Sequence, residues 1–201
     1  MLLNKKQDLA SQLRRTKILD ATLLLFSENG LSQLRIAEIS KRSGASIGSI
    51  YHHFKDREGV IYALYHDSFV DCFEQLRQSI LEETDAESGI KRFVVSYLQW
   101  VFENPAQASF IYAASQEEIL RRHQDELHAF KSQFYLDIFS WMSPFIQSGE
   151  LLALPPWAYD AIIMGPAHEF SRRWLGGLRD LSMEEAQSII ADAVWRAIHI
   201  D

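Results

Sequence analysis

At 201 residues, 47% hydrophobic and 23% charged, the chain can bury the core of one large or two small domains, and five Pro with nine Gly leave little room for an all-β fold rich in turns. The absence of any apolar run of about 18 residues argues against a membrane span, the opening segment MLLNKKQDLASQLRR lacks the apolar stretch of a signal peptide, and the lone Cys72 leaves no internal disulfide, so a reducing, cytoplasmic setting is expected. The net charge of −7 speaks against nucleic acid only until it is divided: residues 1–60 carry +4 and residues 61–201 carry −11, which places a basic end on an acidic body.

Residues up to about Gln7 read as a polar tail, in which Lys5 and Lys6, with Arg14 and Arg15 further on, either reach a DNA backbone or form a solvated end. From Asp8 to Asn29 the period of Leu9, Leu13, Ile18, Ala21 and Leu25 predicts a supporting helix, closed by Asn29-Gly30. Ser32 or Gln33 then precedes a short helix opened by Ile36 and Ile39, and Arg35 near its start is placed to reach a phosphate beside the free amides of a helix N-terminus. That helix breaks at Ser43-Gly44-Ala45-Ser46, where Gly can take the left-handed closing conformation and Ser46 can cap the next segment. The next helix turns Ile50 and Phe54 inward and leaves Ser46, Gly48, Ser49, His52 and His53 outward. Two short helices joined by a Gly turn describe a helix-turn-helix. A slim polar edge is what a recognition helix needs in a major groove about 12 Å wide; a helical hairpin in an ordinary bundle is the competing reading.

Asp56 is expected to cap a long helix running to about Glu83, with Val60, Ile61, Leu64, Tyr65, Ser68, Phe69, Cys72, Leu76 and Ile80 on its inner face. Further helices are expected over 85–103, 105–115, 125–147, 157–175 and 182–199, with a polar turn or short helix near Gln116 to Gln124. Pro144 sits inside the 125–147 helix, and Gly165 and Pro166 inside the 157–175 helix, where they weaken or bend it. Ser182 with Glu185 forms a capping box. No β-alternation and no internal repeat is visible.

The run GASIGSIYHHFKDREGVIYALY resembles the DNA-binding signature of the tetracycline-repressor (TetR) family of bacterial transcriptional regulators. The Gly-x-Ser-x-Gly turn, the Tyr-x-His-Phe end of the recognition helix and the acidic start of the next helix all match, over roughly Thr16 to Leu64. The sequence departs from the pattern at Ser40 and Ser43, where Ala is usual, at Arg57, where Lys is usual, and at Leu34, which holds the place of a Thr cap. The resemblance implies an all-α protein of about nine helices: a three-helix DNA-binding head over 1–54 with the helix-turn-helix, and a larger helical ligand-binding and dimerisation body over 55–201. The implied function is a ligand-responsive regulator, a repressor released from a palindromic double-stranded operator, acting as a homodimer beside the nucleoid and without enzyme activity.

On that reading Arg35, Ser46, Ile47, Gly48, Ser49, Tyr51, His52, His53 and Lys55 form the DNA-binding set, Ile47 standing where a polar residue is frequent. The aromatic-rich body implies a pocket for a small hydrophobic or aromatic effector, walled by Phe69, Tyr97, Trp100, Phe110, Tyr112, Phe134, Trp141 and His168; each of these also fits a plain core. Ile163, Ala167, Phe170, Trp174, Ile190, Val194 and Ala197 on the last two helices imply a dimer interface, or intramolecular packing. A DNA-binding architectural protein without a ligand is the alternative. Gly44-Ala45-Ser46-Ile47-Gly48 also spells the nucleophile elbow of a serine hydrolase on Ser46, with Asp160 and His168 in the right order, but that motif needs a buried strand before it. No catalytic group, cofactor or metal site is expected; His123 and His128 do not share a helical face.

Overall fold

The computed structural model describes residues 2–115 and 118–200. The Lys5 and Lys6 side chains, and Gln116 and Glu117 of the expected polar turn, lie outside the described residues. The chain is all-α, in the order α1 (Leu2–Asn29), a 3-10 turn (Leu31–Gln33), α2 (Ile36–Ser43), α3 (Ile47–Phe54), α4 (Arg57–Leu81), α5 (Ala86–Glu103), α6 (Pro105–Ala114), α7 (Glu118–Arg122), α8 (Gln124–Ser148), α9 (Pro156–Tyr159), a π-helical turn (Asp160–Met164), α10 (Gly165–Leu175) and α11 (Met183–Ile198). Among the described residues the sole extended pairing is an isolated antiparallel bridge between Leu151 and His199. The chain divides into two compact units, Met1–Phe69 with Ala106–His123, and Val70–Pro105 with Gln124–Asp201; α4 runs through both.

In the first unit α1 starts at Leu2, well before Asp8. Its expected inner stripe holds only in part. Ile18, Ala21 and Leu25 are buried with Leu19 and Thr22, while Leu9 and Leu13 are 57% and 56% exposed. The reason is geometric: the period fixes which residues share a face, but not how far along the helix other chain segments cover it. Bidentate pairs fasten this helix to its neighbours. Arg42 donates to Glu28 at 2.9 and 2.5 Å, and Arg15 to Asp67 at 2.5 and 3.0 Å. Phe110 of α6 packs edge-on against Phe26, with centroids 5.0 Å apart. Arg122 donates to Glu58 at 2.9 Å and His123 stacks on Tyr62 at 4.0 Å, so the α7 segment lies against the start of α4.

The N-terminal end of α2 is held without a side-chain cap, and neither Ser32 nor Gln33 supplies one; the cap position is Arg35, in extended conformation. Leu34, where a Thr cap is usual, is 1% exposed and serves the core. Arg57 supplies the missing order from a distance. Its Nε donates to the Leu34 carbonyl at 2.6 Å and its Nη2 to the Leu31 carbonyl at 2.8 Å. A guanidinium fork serves two carbonyls at once, which an ammonium does less well. Arg57→Ala is therefore expected to cost about 2–3 kcal/mol, and Arg57→Lys clearly less, in urea unfolding of the full chain. Equal losses in the two variants would show that the fork contributes nothing.

In the second unit α11 packs along α5, with α10 beside them. Asp85 caps α5 by accepting from Ser88 N at 2.8 Å, and Ser182 caps α11 within the expected capping box. Gly89 lets α5 and α8 meet: a Cβ there would fall on the Trp141 ring, whose Nε1 donates to the Glu83 carbonyl at 2.9 Å. The expected 157–175 helix is α9, the π-helical turn and α10 without a break. Pro166 accounts for the π turn, since it has no N–H to offer the Ile162 carbonyl and its ring crowds that oxygen.

Candidate nucleic-acid interface

The turn between α2 and α3 is built by small polar residues. Gly44 closes α2 at φ 71° and ψ 6°, the left-handed conformation expected there. Ser40 Oγ donates to the Ala45 carbonyl at 2.7 Å, and Ser43 Oγ accepts from Ala45 N at 3.2 Å. The two serines that replace the usual alanines therefore brace the turn. Ser46 caps α3, its Oγ accepting from Ser49 N at 3.1 Å. Ile50 and Phe54, 0% and 5% exposed, anchor the helix from behind; burying such side chains stabilises by about 1.5–3 kcal/mol each.

The outward face carries the candidate set. Arg35, Ser46, Ile47, Gly48, Tyr51, His52 and Lys55 are exposed, and Ser49 and His53 half-buried. Ile47 and Tyr51, one turn apart, are 48% and 50% exposed, an apolar pair open to solvent in a small domain. Beside them a groove of about 480 Å³ runs between α1 and α3, lined by Ala10, Ser11, Arg14, Ser46, Ser49, His52 and His53. Arg14 is one of the four basic residues expected either to reach a DNA backbone or to form a solvated end. Ser11 was missed, though its place three residues before Arg14 on the helix expected from Asp8 puts the two on one face. Arg15, by contrast, is engaged by Asp67 and lies 5.8 Å from the Phe54 ring. Partial burial, with His52, Arg14 and Arg15 nearby, holds His53 below the usual imidazole pKa, so it offers a neutral imidazole near pH 7.

Lys55 ends α3 in an unusual conformation. Its φ is 68° and its ψ −49°, and Asp56 N donates to the Phe54 carbonyl at 2.8 Å across it. This is a γ-turn of the rare positive-φ kind, strained for a residue with a Cβ. Among the described non-glycine residues Lys55 alone has positive φ. Asp56 Oδ1 then accepts from Gly59 N at 2.7 Å and starts α4. The segment before Ser46 is helix α2, not a strand, so the geometry of a nucleophile elbow is not met.

The residues expected around an effector fall into both units. Phe69, Phe110 and Tyr112 belong to the first, and Tyr97, Trp100, Phe134, Trp141 and His168 to the second. Within the second, Tyr97 and His168 come together, hydroxyl to Nδ1 at 2.9 Å. Trp100 Nε1 donates to Asp71 at 2.8 Å, and Phe134 packs with Phe73, Phe93 and Tyr135. A cleft of about 210 Å³ in this unit is lined by Phe73, Phe130 and Phe134 under a rim of Glu74, Arg77 and Asp137; of the expected wall it includes Phe134 alone. Of the expected interface residues, Ile163, Ala167, Trp174 and Val194 are buried within the single chain, Phe170 and Ile190 are half-buried, and Ala197 is exposed. No group of three or more potential metal ligands occurs among the described residues, and no helix there is long and apolar enough to cross a membrane.

Residues 18–64 match the family described as bacterial regulatory proteins, tetR family. The HTH-type transcriptional regulator BetI of Klebsiella pneumoniae is 38% identical over 74 residues, 37% of this chain and 36% of BetI. The match thus spans about a third of the length of that relative. A TetR family transcription regulator from Marinobacter aquaeolei superposes with a TM-score of 0.81 at 18% identity, over 98% of this chain and 100% of that one. The regulator FadR from Bacillus subtilis, solved in complex with stearoyl-CoA, superposes with a TM-score of 0.78 at 19% identity, over 92% and 99% of the two chains. At those identities the likeness is one of fold. It is thus the helix-turn-helix segment, with its exposed polar edge, that matches the tetR family of bacterial regulatory proteins.

Proposed function

We propose that the chain is a transcriptional regulator that binds operator DNA through α3, as a repressor released by a small hydrophobic or aromatic effector. The observation that carries this reading is the two-sided character of α3. Ile50 and Phe54 fix one face in the core, while Ser46, Ser49, Tyr51, His52 and His53 stand on the other beside the Arg14 groove. Hydroxyls, imidazoles and a guanidinium are donors suited to base edges and phosphates. One helix of eight residues reads few base pairs, so a homodimer with two heads on successive major grooves follows from mechanics. Phe170, Ile190 and Ala197, with the neighbouring Ile189 at 56% exposed, offer surface that a second copy can cover. An effector that favours one spacing of the heads would release DNA, and a coupling of about 1–3 kcal/mol suffices for a 5–150-fold change. The head over 1–54 and the body over 55–201 divide these tasks.

The test is a mobility shift of the full chain with DNA from its own promoter region. Tyr51→Ala is expected to weaken specific binding about tenfold or more, and wild-type affinity should fall steeply with salt. A flat salt response, or a Tyr51→Ala protein that binds as well as wild type, would sink the assignment of α3 to DNA. The architectural alternative predicts DNA binding that no ligand alters.

A further inference from the structure

The outer surface of α3 carries two chemistries on two flanks. With about 3.6 residues per turn, Ile47 and Tyr51 share one flank, Ser49 and His53 the other, and Gly48 with His52 form the ridge between them. The Ser49 and His53 flank lines the groove with Ser11 and Arg14, and there it offers hydroxyls, an imidazole and a guanidinium. The first flank differs. Ile47 has no polar atom in its side chain, yet it is 48% exposed, with Tyr51 beside it at 50%. The core does not call for this isoleucine, since Ile50 and Phe54 already fill the inner face of the helix. Single exposed apolar side chains are common, but the place of Ile47 is restrictive. It is the first residue of α3, directly after the capping Ser46, at the end of a recognition helix from which side chains reach base edges.

Gly48 adds a second observation. Its φ lies outside the positive range that favours glycine, and a Cβ built on it would meet nothing within 4 Å. Neither the backbone nor the packing requires a glycine here, and in a helix glycine is less favourable than alanine. The room that it leaves is on the outside of the protein, next to Ile47, where another surface can come close to the helix axis. In the major groove the base pairs present donors, acceptors and one apolar group, the C5-methyl of thymine. A side chain made of carbon alone finds its match in that methyl.

We propose that Ile47 reads a thymine of the operator through its C5-methyl, with Gly48 admitting the base edge and Tyr51 closing the apolar flank. This rests on the assignment of α3 to operator DNA above, and it names a base that the operator carries opposite the first turn of that helix. Contact between the two removes both apolar surfaces from water, the same effect that holds Ile50 in the core. The hydrogen-bonding groups on the other flank read different features, the polar base edges and the phosphates.

The experiment prepares the chain's own promoter fragment twice, once with thymidine and once with deoxyuridine in its place, so that the two duplexes differ only in the methyl groups. Mobility shifts with the full chain are run at one salt concentration. Wild type should bind the thymine fragment about four- to tenfold more tightly than the uracil fragment. Ile47→Ala should bind both about equally, near the affinity of wild type for uracil DNA, and Ile47→Val should keep most of the preference. Unfolding midpoints of both variants should match wild type, because the side chain is half exposed. A wild-type preference below about twofold, or a preference in Ile47→Ala as large as in wild type, would overturn the proposal; the second result would trace the methyl effect to another side chain or to DNA shape. Neither result touches the regulator reading. Binding to neither fragment refutes that reading and this inference with it, so the two failures are told apart.

Discussion

Gly59→Ala is expected to destabilise the protein by about 3 kcal/mol, a fall in Tm of roughly 6–12 °C for a chain of this size. The sign is what makes the result informative. In the first turns of an ordinary helix Ala is better than Gly by up to about 1 kcal/mol. Here a Cβ would fall on the Phe54 carbonyl oxygen, with the Phe54 carbonyl carbon 2.9 Å away and Asp56 Oδ1 at 3.5 Å. The obstacle is main chain, held by the γ-turn at Lys55 and by the C-terminal turn of α3, where Lys55 N donates to the Tyr51 carbonyl at 2.9 Å. It cannot step aside as a side-chain tip would. Relief would require α3 and α4 to part, so DNA affinity should fall with stability. Thermal unfolding of the full chain decides it: an unchanged or raised Tm would mean that the α3–α4 junction is far looser than its geometry indicates.

The second large effect separates stability from binding at one position. Lys55→Gly is expected to raise stability by about 1 kcal/mol, since strain of about 1–3 kcal/mol at positive φ is relieved while the freer unfolded chain takes back part of it. The same change removes an exposed cation at the end of α3, the helix proposed to enter the groove. DNA affinity should then drop severalfold, and the slope of log affinity against log salt should shrink by about 1. Lys55→Ala keeps a Cβ and hence the strain, so it should lose affinity in the same way without gaining stability. Unfolding curves and salt-dependent mobility shifts on both variants make the comparison. Full DNA affinity in Lys55→Gly would remove Lys55 from the interface.

A strained lysine at this place explains why part of the molecule was legible in the residues and part was not. The inner face of α4 was readable because a helical period fixes direction and nothing competes with it: Val60, Ile61, Leu64, Tyr65, Ser68, Phe69, Cys72, Leu76 and Ile80 are all buried as expected. The turn from Ser43 to Ser46 was readable because Gly and Ser have specific backbone uses there. The γ-turn at Lys55 was not, since no glycine marks it and only the meeting of α3 with α4 imposes it. Leu9 and Leu13 were placed inward on period alone and are exposed. The effector wall was the least readable of all. Buried rings have the same identity and spacing whether they touch one another or a ligand, and Trp100 and Trp141, both counted as wall, spend their N–H groups on Asp71 and on the Glu83 carbonyl. What the aromatic count concealed was the polar contacts among them, Tyr97 with His168 at 2.9 Å and Tyr135 with Asp160 at 3.1 Å.

The membership of Ala106–His123 in the same compact unit as α1 to α3 bears on how this protein can be dissected. Phe26 finds its edge-on partner in Phe110, and Glu58 and Tyr62 find theirs in Arg122 and His123, all more than sixty positions later in the chain. A fragment cut after the fourth helix would carry every side chain proposed to meet DNA and still leave those surfaces bare to solvent. Isolating the first unit by truncation therefore calls for grafting the distant stretch back on, and a ribosome that has released only the front of the chain holds a unit that is not yet finished.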